Sequence, residues 1–266
     1  MNFQDIEKHI KSLKENGFSE EMIEDFLQYM EVTSKAPILL NPESTLTSQQ
    51  QWAIACGADV AFANGHYLNE LSTGFQKNEW LELLYNFWEV GSKSKALETI
   101  NWMFKEGHRV QFDFFWQAMN IVSIEETKEF LWEHIVKDDN EEAIAFHRLR
   151  NLRHGLDVFK QFNLFDTDTI PNMLIWDFAR IINLSRGCYD AGYFSREEAL
   201  ELIMTTVGPI RKTYKSWRQL SISYQFARYF WRGIDEKIFK ELLAGMHLLL
   251  THRNSPWVTL KWEDSE

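Results

Sequence analysis

The residues best suited to chemistry form a polar stripe in the C-terminal half of the chain. Asp177, Arg180, Asn183, Arg186 and Asp190 recur at steps of three and four residues, which places them on one face of a predicted helix. The opposite face is apolar and is predicted to be the only one that faces the core. At these spacings Asp177 can pair with Arg180, and Arg186 with Asp190. If the stripe instead binds a ligand, its guanidinium groups favour an anionic group.

An aromatic helix is predicted to lie beside this stripe. Trp217, Tyr224 and Trp231 fall seven residues apart, so their rings line up along one side of a helix. We interpret this line as core, and an exposed binding strip is the alternative. The two helices define a candidate ligand groove, whose predicted residues are Trp176, Asp177, Arg180, Arg186, Tyr224 and Arg228.

The sequence contains no recognisable metal site or nucleophile motif. His147, His154 and Asp157 share one helix face, but two turns separate the histidines, which is too far for one ion without a further element. Cys56 and Cys188 fall within apolar periods and are interpreted as inert core thiols. Phosphate-binding loops and serine-nucleophile motifs are also missing. We therefore predict no metal, no cofactor and no catalytic residue, and we favour a protein that is not an enzyme.

His108 and Arg109 follow Gly107 at what the periodicity indicates is the end of a helix. Cations at this position interact favourably with the dipole of the helix C-terminus. Structural capping is the preferred interpretation, and a role in ligand binding is the alternative.

Local signals predict where the helices begin and end. Gly192 is predicted to stop the stripe helix, and Gly208 with Pro209 to end the helix after it. An alanine-rich helix is predicted to run without interruption from Thr47 through Gly57 to Asn64. The spacing of a capping box occurs at Thr47 with Gln50, Ser195 with Glu198, and Ser216 with Gln219.

The residues of the stripe and of the aromatic helix resemble the bacterial family known as domain of unknown function 1266. The resemblance covers roughly residues 80 to 262, and it departs from the family pattern at Phe194 and Lys261. It implies an all-helical fold and a bacterial origin. It supplies no activity, because the family has no established one. The matching positions are Trp88, Ala96, Leu97, Gly107, His108, Arg109, Phe112, Trp176, Asp177, Arg180, Arg186, Tyr189, Gly192, Tyr193, Ala199, Ser216, Trp217, Tyr224, Trp231, Ser255, Pro256, Trp257 and Trp262.

Helical periodicity along the chain predicts an all-α protein, a single multi-helix bundle with an N-terminal helical hairpin appendage. Residues 1–35 form the predicted hairpin, whose exposed faces are mostly acidic. Residues 36–46 contain Pro37 and Pro42, lack periodicity and are predicted to be a linker. Residues 47–266 form the predicted helical body.

Composition narrows the choice of partners. The formal net charge of −11 repels polyanions, which argues against nucleic acid and favours a protein partner, most naturally a basic one. Hydrophobic residues make up 45% of the chain, enough for a large core. The two scattered cysteines fit a reducing compartment, and no apolar run has the length of a signal peptide or a membrane span. We predict a cytoplasmic protein that does not enter a membrane.

Two functions are consistent with these observations. The leading hypothesis is a non-catalytic module that binds another protein, in the manner of an inhibitor or an immunity protein. The competing hypothesis is an enzyme or small-molecule binder with an anionic-ligand groove between the Trp176 helix and the Trp217 to Trp231 helix. A deep pocket lined by the predicted residues would favour the second hypothesis, and a filled aromatic core with a flat acidic face would favour the first. The sequence does not predict the oligomeric state.

Overall fold

The computed structural model describes residues 38–161, 164–165, 172–233 and 236–265, together with isolated helical positions between residues 10 and 28. All regular secondary structure in these residues is helical, and none of it is β-strand. The all-α prediction is therefore confirmed. The predicted hairpin of residues 1–35 lies almost wholly outside the described residues.

Most of the described connections between helices are short, as is typical of packed helical bundles, and the longest of them runs from residue 64 to residue 76. Within the described part of the chain, none of the helices has both the length and the apolar character that crossing a membrane requires. In chain order the helices are α1 (Ser48–Ala55), α2 (Ala58–Ala63), α3 (Lys77–Trp88), α4 (Lys93–Lys105), α5 (Gly107–Ala118), α6 (Ile124–His134), α7 (Asp139–Gln161), α8 (Leu174–Asp190), α9 (Arg196–Met204), α10 (Val207–Thr213), α11 (Trp217–Arg232), α12 (Glu236–Thr251), α13 (Pro256–Thr259) and a 3-10 turn (Trp262–Ser265).

Helix α8 lies at the centre of the fold and carries the polar stripe. It packs against α2, α3, α4 and α5 on the N-terminal side of the chain and against α9, α10 and α11 on the C-terminal side. Asp177, Asn183 and Arg186 are buried together with the apolar residues of the same helix. The prediction that only one face of this helix belongs to the core is wrong, because neighbouring elements enclose the polar face as well.

Helix α11 carries the aromatic line and packs against α7, α8 and α12. Trp217 and Tyr224 are buried, and Trp231 is half-buried. The ring of Trp217 lies 5.1 Å from the ring of Trp52, and the ring of Tyr224 lies 5.5 Å from the ring of Trp176, measured between centroids. These contacts confirm the interpretation of the aromatic line as core for Trp217 and Tyr224, whereas Trp231 lies at the edge of the core.

The predicted N-terminal caps are complete in two cases and half formed in the third. Thr47 and Ser195 each form a full capping box. The hydroxyl of Ser216 accepts a hydrogen bond from the backbone of Gln219 at 3.1 Å. The side chain of Gln219, however, accepts from the backbone N–H of Lys215 at 2.7 Å instead of closing the box.

The predicted end of a helix at Gly192 is confirmed. The predicted end at Gly208 and the predicted continuous helix through Gly57 are both wrong. Helix α8 ends at Asp190, and Gly192 follows with a φ of 82°. Gly208 and Pro209 do not end a helix but lie in the first turn of α10, where proline is tolerated. The helix from Thr47 breaks at Gly57 into α1 and α2. A Cβ at position 57 would lie 3.1 Å from Cγ2 of Ile182, so glycine permits the close approach to α8.

Residues 38–46 contain no helix, as the linker prediction requires, yet they contact the body. The carbonyl of Leu39 accepts from the backbone N–H of Leu68 at 2.9 Å. The side chain of Asn69 accepts from the backbone N–H of Asn41 at 2.8 Å and donates to its carbonyl at 2.9 Å. The division of the chain into hairpin, linker and body stays a prediction.

Candidate functional site

Asp177 is fully buried and is held at the start of α5. Its Oδ1 accepts from the backbone N–H of His108 and lies 2.9 Å from Nδ1 of the same residue. Its Oδ2 accepts from the backbone N–H of Arg109 at 3.2 Å and from Nη1 of Arg109 at 3.1 Å. A carboxylate is favoured at a helix N-terminus because of the free N–H groups and the helix dipole. Asp177 thus pairs with His108 and Arg109 rather than with Arg180.

Arg109 connects the end of α4 to the start of α5. Its Nη1 and Nη2 donate to the carbonyls of Met103 and Phe104, each at 2.6 Å. These carbonyls belong to the last turn of α4, so the prediction of structural capping is confirmed for Arg109. The predicted location of these two residues at the end of a helix is wrong, because His108 and Arg109 lie in the first turn of the next helix, α5.

Arg180 lies in an aromatic cluster formed by the chain itself. Its guanidinium carbon is 4.8 Å from the ring centroid of Trp88 and 5.6 Å from that of Trp176. Its Nη1 lies 3.0 Å from Nε2 of His108. Burial lowers the pKa of Arg180, and the nearby carboxylate of Asp177 opposes that shift. Cation–π contacts and the histidine therefore hold this guanidinium in place.

Arg186 binds the segment of residues 67–73 to the C-terminal end of α8. Its Nε donates to the carbonyl of Leu71 at 3.1 Å, and its Nη2 donates to the carbonyls of Tyr67 at 2.6 Å and Ser72 at 3.1 Å. Burial lowers the pKa of Arg186 to about 10, so the side chain stays cationic at neutral pH.

Asp190 holds the same segment through Thr73. Its Oδ2 accepts from the backbone N–H of Thr73 at 2.8 Å and from the hydroxyl at 2.6 Å. Arg186 and Asp190 therefore do not form the direct ion pair that their spacing suggests. Each of them instead binds a separate part of the 67–73 segment.

The structure brings only some of the predicted site residues together. Trp176, Arg180 and Tyr224 are neighbours, through the ring contact of Trp176 with Tyr224 and the cation–π contact of Trp176 with Arg180. Arg186 lies at the opposite end of α8. Arg228 points towards α12, where its Nη2 lies 3.3 Å from a carboxylate oxygen of Glu241.

Arg228 borders a cavity of about 310 Å³ between α2, α11 and α12. At its wall lies Asp59, which is 5% exposed. The Oδ1 of Asp59 accepts from the hydroxyl of Ser221 at 3.1 Å and from Nε2 of Gln225 at 2.8 Å. The Oδ2 of Asp59 and the Oε1 of Gln225 have no hydrogen-bond partner. The cavity is lined by Asp59, Phe62, Ala63, Gln225, Arg228, Glu241 and Gly245.

Burial gives Asp59 a pKa close to neutrality. Desolvation raises the pKa of this carboxyl to about 7, against the lowering effects of its hydrogen bonds from Ser221 and Gln225 and of the charge on Arg228. The pKa of Tyr224 is raised by burial and by the charge of Asp59. A titratable group of this kind beside a cavity is typical of functional sites.

Sequence reasoning found Arg228 but missed Asp59, Gln225 and Glu241. One signal was present, because Asp59 is the single acid within the apolar stretch AIACGADVAFA. An acid inside an apolar helix requires a partner or a ligand. Gln225 and Glu241 gave no comparable signal, since both sit in helices with other polar residues.

A larger groove of about 640 Å³ lies between residues 121–127 and α7. Val122 is 100% exposed and Ile124 is 67% exposed along its edge. Arg150 and Arg153 are exposed on the α7 side of the groove. The remaining lining residues are Ile121, Thr127, Ala143, Phe146, His147, Leu149, His154 and Asp157.

The histidines and cysteines considered for metal binding and nucleophilic chemistry are placed as structural residues. His154 lies with its Nδ1 2.6 Å from the hydroxyl of Tyr229. Among the residues that the structure describes, no three His, Cys, Asp or Glu side chains are placed to share a metal ion. Cys56 and Cys188 are buried, and burial raises the pKa of both thiols. Their interpretation as core thiols is confirmed.

These features define an all-α protein in which buried charges of α8 hold the fold, while a polar cavity and an apolar groove are left open. The chain belongs to the family described as protein of unknown function (DUF1266), which matches residues 83–262. No curated protein and no solved structure matches the chain. The match includes Gln225, Arg228 and Glu241 and leaves out α1 and α2, which carry Asp59.

Proposed function

We propose that this chain is a non-catalytic module that binds another protein, and that the partner docks in the groove between residues 121–127 and α7. The observation that carries this proposal is the exposure of Val122 and Ile124 at the edge of a groove of about 640 Å³. Single exposed apolar side chains are common, but apolar residues grouped around a concave surface are typical of interaction sites. An inhibitory or immunity-type role would follow if the docked partner lost its own activity.

The charges of the groove specify the partner further. Arg150 and Arg153 outnumber Asp157 along the lining, although the whole chain has a net charge of −11. Exposed charges are screened beyond about 8 Å at physiological ionic strength, so the local cations dominate at contact distance. We therefore propose an acidic docking segment with apolar anchors, such as an amphipathic helix. The net charge of the whole chain predicts a basic partner. We propose an acidic one because the partner contacts the groove, where the cations lie.

The test is capture from the source cell with two matched double variants. In the first, Val122→Asp with Ile124→Asp places carboxylates at the apolar edge of the groove. In the second, Tyr85→Asp with Phe87→Asp places the same two carboxylates on α3, at side chains that are 73% and 77% exposed. We expect the unmodified chain and the α3 variant to capture the same partner and the groove variant to lose it.

Two further measurements decide whether the capture supports the proposal. Captured partner should decrease at high salt, because the groove cations are exposed. A photo-crosslinker at position 122 should attach to an acidic segment of the partner. A partner that binds the groove variant as well as the unmodified chain, or one whose crosslinked segment is basic, contradicts the proposal.

The alternative function, an anionic ligand held between α8 and α11, receives less support. Asp177 and Arg186 use their hydrogen-bonding groups on backbone atoms of the fold. Arg180 is enclosed by Trp88, Trp176 and His108. Changing Arg180→Ala separates the two roles: an unchanged melting temperature with loss of an anionic ligand supports the alternative, and a lowered melting temperature supports a structural role.

A further inference from the structure

The cavity between α2, α11 and α12 has a polar end and an apolar wall. The polar end contains Asp59 and Gln225, which are 5% and 4% exposed. Phe62, Ala63 and Gly245 supply the apolar wall. A volume of about 310 Å³ is at the lower limit of small-molecule pockets, so it suits a compact ligand.

Two buried oxygen atoms at the polar end lack a hydrogen-bond donor. They are Oδ2 of Asp59 and Oε1 of Gln225. Both residues already share one hydrogen bond, from Nε2 of Gln225 to Oδ1 of Asp59 at 2.8 Å, which fixes their relative orientation. Buried acceptors without partners are rare in folded proteins and call for an explanation. A ligand that fits here must therefore bring hydrogen-bond donors.

The charges at the cavity select a cation. Among the lining residues that the structure describes, Asp59 and Glu241 are acidic and Arg228 is the one cation. Arg228 contacts Glu241 at 3.3 Å, and among the described residues no cation forms an ion pair with Asp59. An ammonium group supplies three donors from one compact charge, which matches acceptors placed side by side.

We propose that this cavity binds a small primary ammonium compound, with the ammonium group at Oδ2 of Asp59 and Oε1 of Gln225 and the alkyl part against Phe62, Ala63 and Gly245. The site is separate from the protein-docking groove. It also differs from the predicted anionic-ligand groove, because the acceptors at its end would repel an anion.

Ligand binding at this site is coupled to pH. The ammonium group binds the ionised form of Asp59, and burial raises the pKa of this carboxyl to about 7. Among the described residues, the other titratable groups that face Asp59 are Tyr224 and Arg228 from α11 and Glu241 from α12. Raising the pH from 6 to 8 increases the ionised fraction of such a carboxyl about tenfold, so affinity rises by about the same factor.

The experiment titrates the full chain with n-butylammonium at physiological ionic strength and follows the heat of binding. Two probes serve as controls: tetramethylammonium has the same charge without N–H donors, and n-butanol has a donor without the charge. We expect saturable binding of n-butylammonium alone, with a dissociation constant on the order of millimolar or tighter for so small a ligand. Affinity should increase about tenfold between pH 6 and pH 8.

Two variants locate the site. Asp59→Asn removes the charge and keeps the shape, and it should weaken binding at least tenfold. Glu43→Gln removes an exposed charge elsewhere and should leave binding unchanged. Glu241→Gln, at a half-buried position, provides a second variant at the cavity and should weaken binding several-fold. Circular dichroism confirms that each variant is folded.

Three outcomes overturn the proposal. The first is the absence of saturable binding at pH 8, which would mean that the cavity holds only water. The second is equal binding of n-butylammonium and tetramethylammonium, which would indicate general attraction to an acidic protein. The third is equal affinity in Asp59→Asn and in the unmodified chain, which would place the cation elsewhere. None of these outcomes affects the groove and its proposed protein partner.

Discussion

Buried charges occur in two regions of this protein, and their surroundings differ. Asp177 and Arg186 of α8 are 0% and 1% exposed, and each makes several hydrogen bonds to other elements. Asp59 of α2 is 5% exposed, and one of its two oxygens has no partner. Burial alone therefore does not distinguish a structural charge from a functional one. The number of unsatisfied atoms does.

The comparison predicts opposite effects on stability. Removing a buried charge that is fully paired leaves its partners unsatisfied, which raises the free energy of the native state and so lowers the free energy of unfolding. Removing a buried charge that lacks partners relieves a desolvation cost. Positions of the second kind are typical of sites where stability is given up for function. The following experiments test this difference, in order of decreasing effect.

The largest effect is expected at Arg186. Arg186→Met keeps much of the side-chain volume but leaves the carbonyls of Tyr67, Leu71 and Ser72 without their donor. We expect the free energy of unfolding to fall by about 3–5 kcal/mol, because each buried carbonyl left without a donor costs about 1–3 kcal/mol, and urea denaturation measures this loss. Arg253→Met, at an exposed position, is the control and should change it by less than about 0.5 kcal/mol. A loss below about 1 kcal/mol at Arg186 would remove the distinction between the two regions.

Asp59→Asn should raise the free energy of unfolding, and the size of this increase should depend on pH. The pKa of Asp59 is about 7 in the folded chain against 3.8 as its ordinary value, so the folded state holds a proton that the unfolded state has released between these two values. The unmodified chain therefore loses stability as the pH rises from 4 to 7, and this loss approaches about 4 kcal/mol. The variant lacks this loss. It should be more stable than the unmodified chain at pH 8 and equal to it at pH 4.

The difference between the two proteins at each pH is the quantity to measure. Burial lowers the pKa of His66 from 6.5 to about 3, so stability decreases as the pH falls through this range. Both proteins contain His66, and its contribution cancels when their unfolding free energies are subtracted. If Asp59→Asn lowers stability at pH 8, the carboxylate of Asp59 is structural and belongs with Asp177 and Arg186.

A smaller loss is expected at Gly107, which tests the region around Asp177. Gly107 has a φ of 64°, and a Cβ there would overlap the carboxylate of Asp177. Gly107→Ala should therefore displace this carboxylate from the start of α5 and lower the free energy of unfolding by about 2–3 kcal/mol. Gly65→Ala is the matched control, because Gly65 has a similar φ of 69° and a Cβ at that position meets nothing within 4 Å. Equal melting temperatures for the two variants would contradict the role assigned to Asp177.

The sequence predicts the local parts of this fold well, for a physical reason. The caps at Thr47 and Ser195 and the stop at Gly192 depend on residues within one turn of each other. The family resemblance, which the match to residues 83–262 confirms, adds the all-helical architecture. At the break, by contrast, Gly57 lies close to Ile182, which is far away in the chain, and a single sequence does not reveal that contact.

The same limit explains which site residues were predicted. Arg228 was predicted because it belongs to the aromatic helix that carries Tyr224 and Trp231. Asp59 approaches Ser221 and Gln225 only after the chain has folded, across more than 160 positions of sequence. Helical spacing also suggested that Arg186 pairs with Asp190, whereas both side chains bind the 67–73 segment. Spacing identifies residues on one helix, but it does not identify their partners on others.

The smallest effect on stability is expected at the groove, where the comparison extends to apolar side chains. Val122 is 100% exposed and Val90 is 0% exposed, so the same substitution to alanine can be made in both environments. Val90→Ala should lower the free energy of unfolding by about 1–3 kcal/mol, because it leaves a cavity in the core. Val122→Ala should change it by less than about 0.5 kcal/mol, because this side chain is solvated in the folded chain as well as in the unfolded one. A loss at Val122 similar to that at Val90 would show that the fold itself uses this residue, and Val122 would no longer support a docking site. Without such a loss, any weakening of partner capture by Val122→Ala reflects contact with the partner.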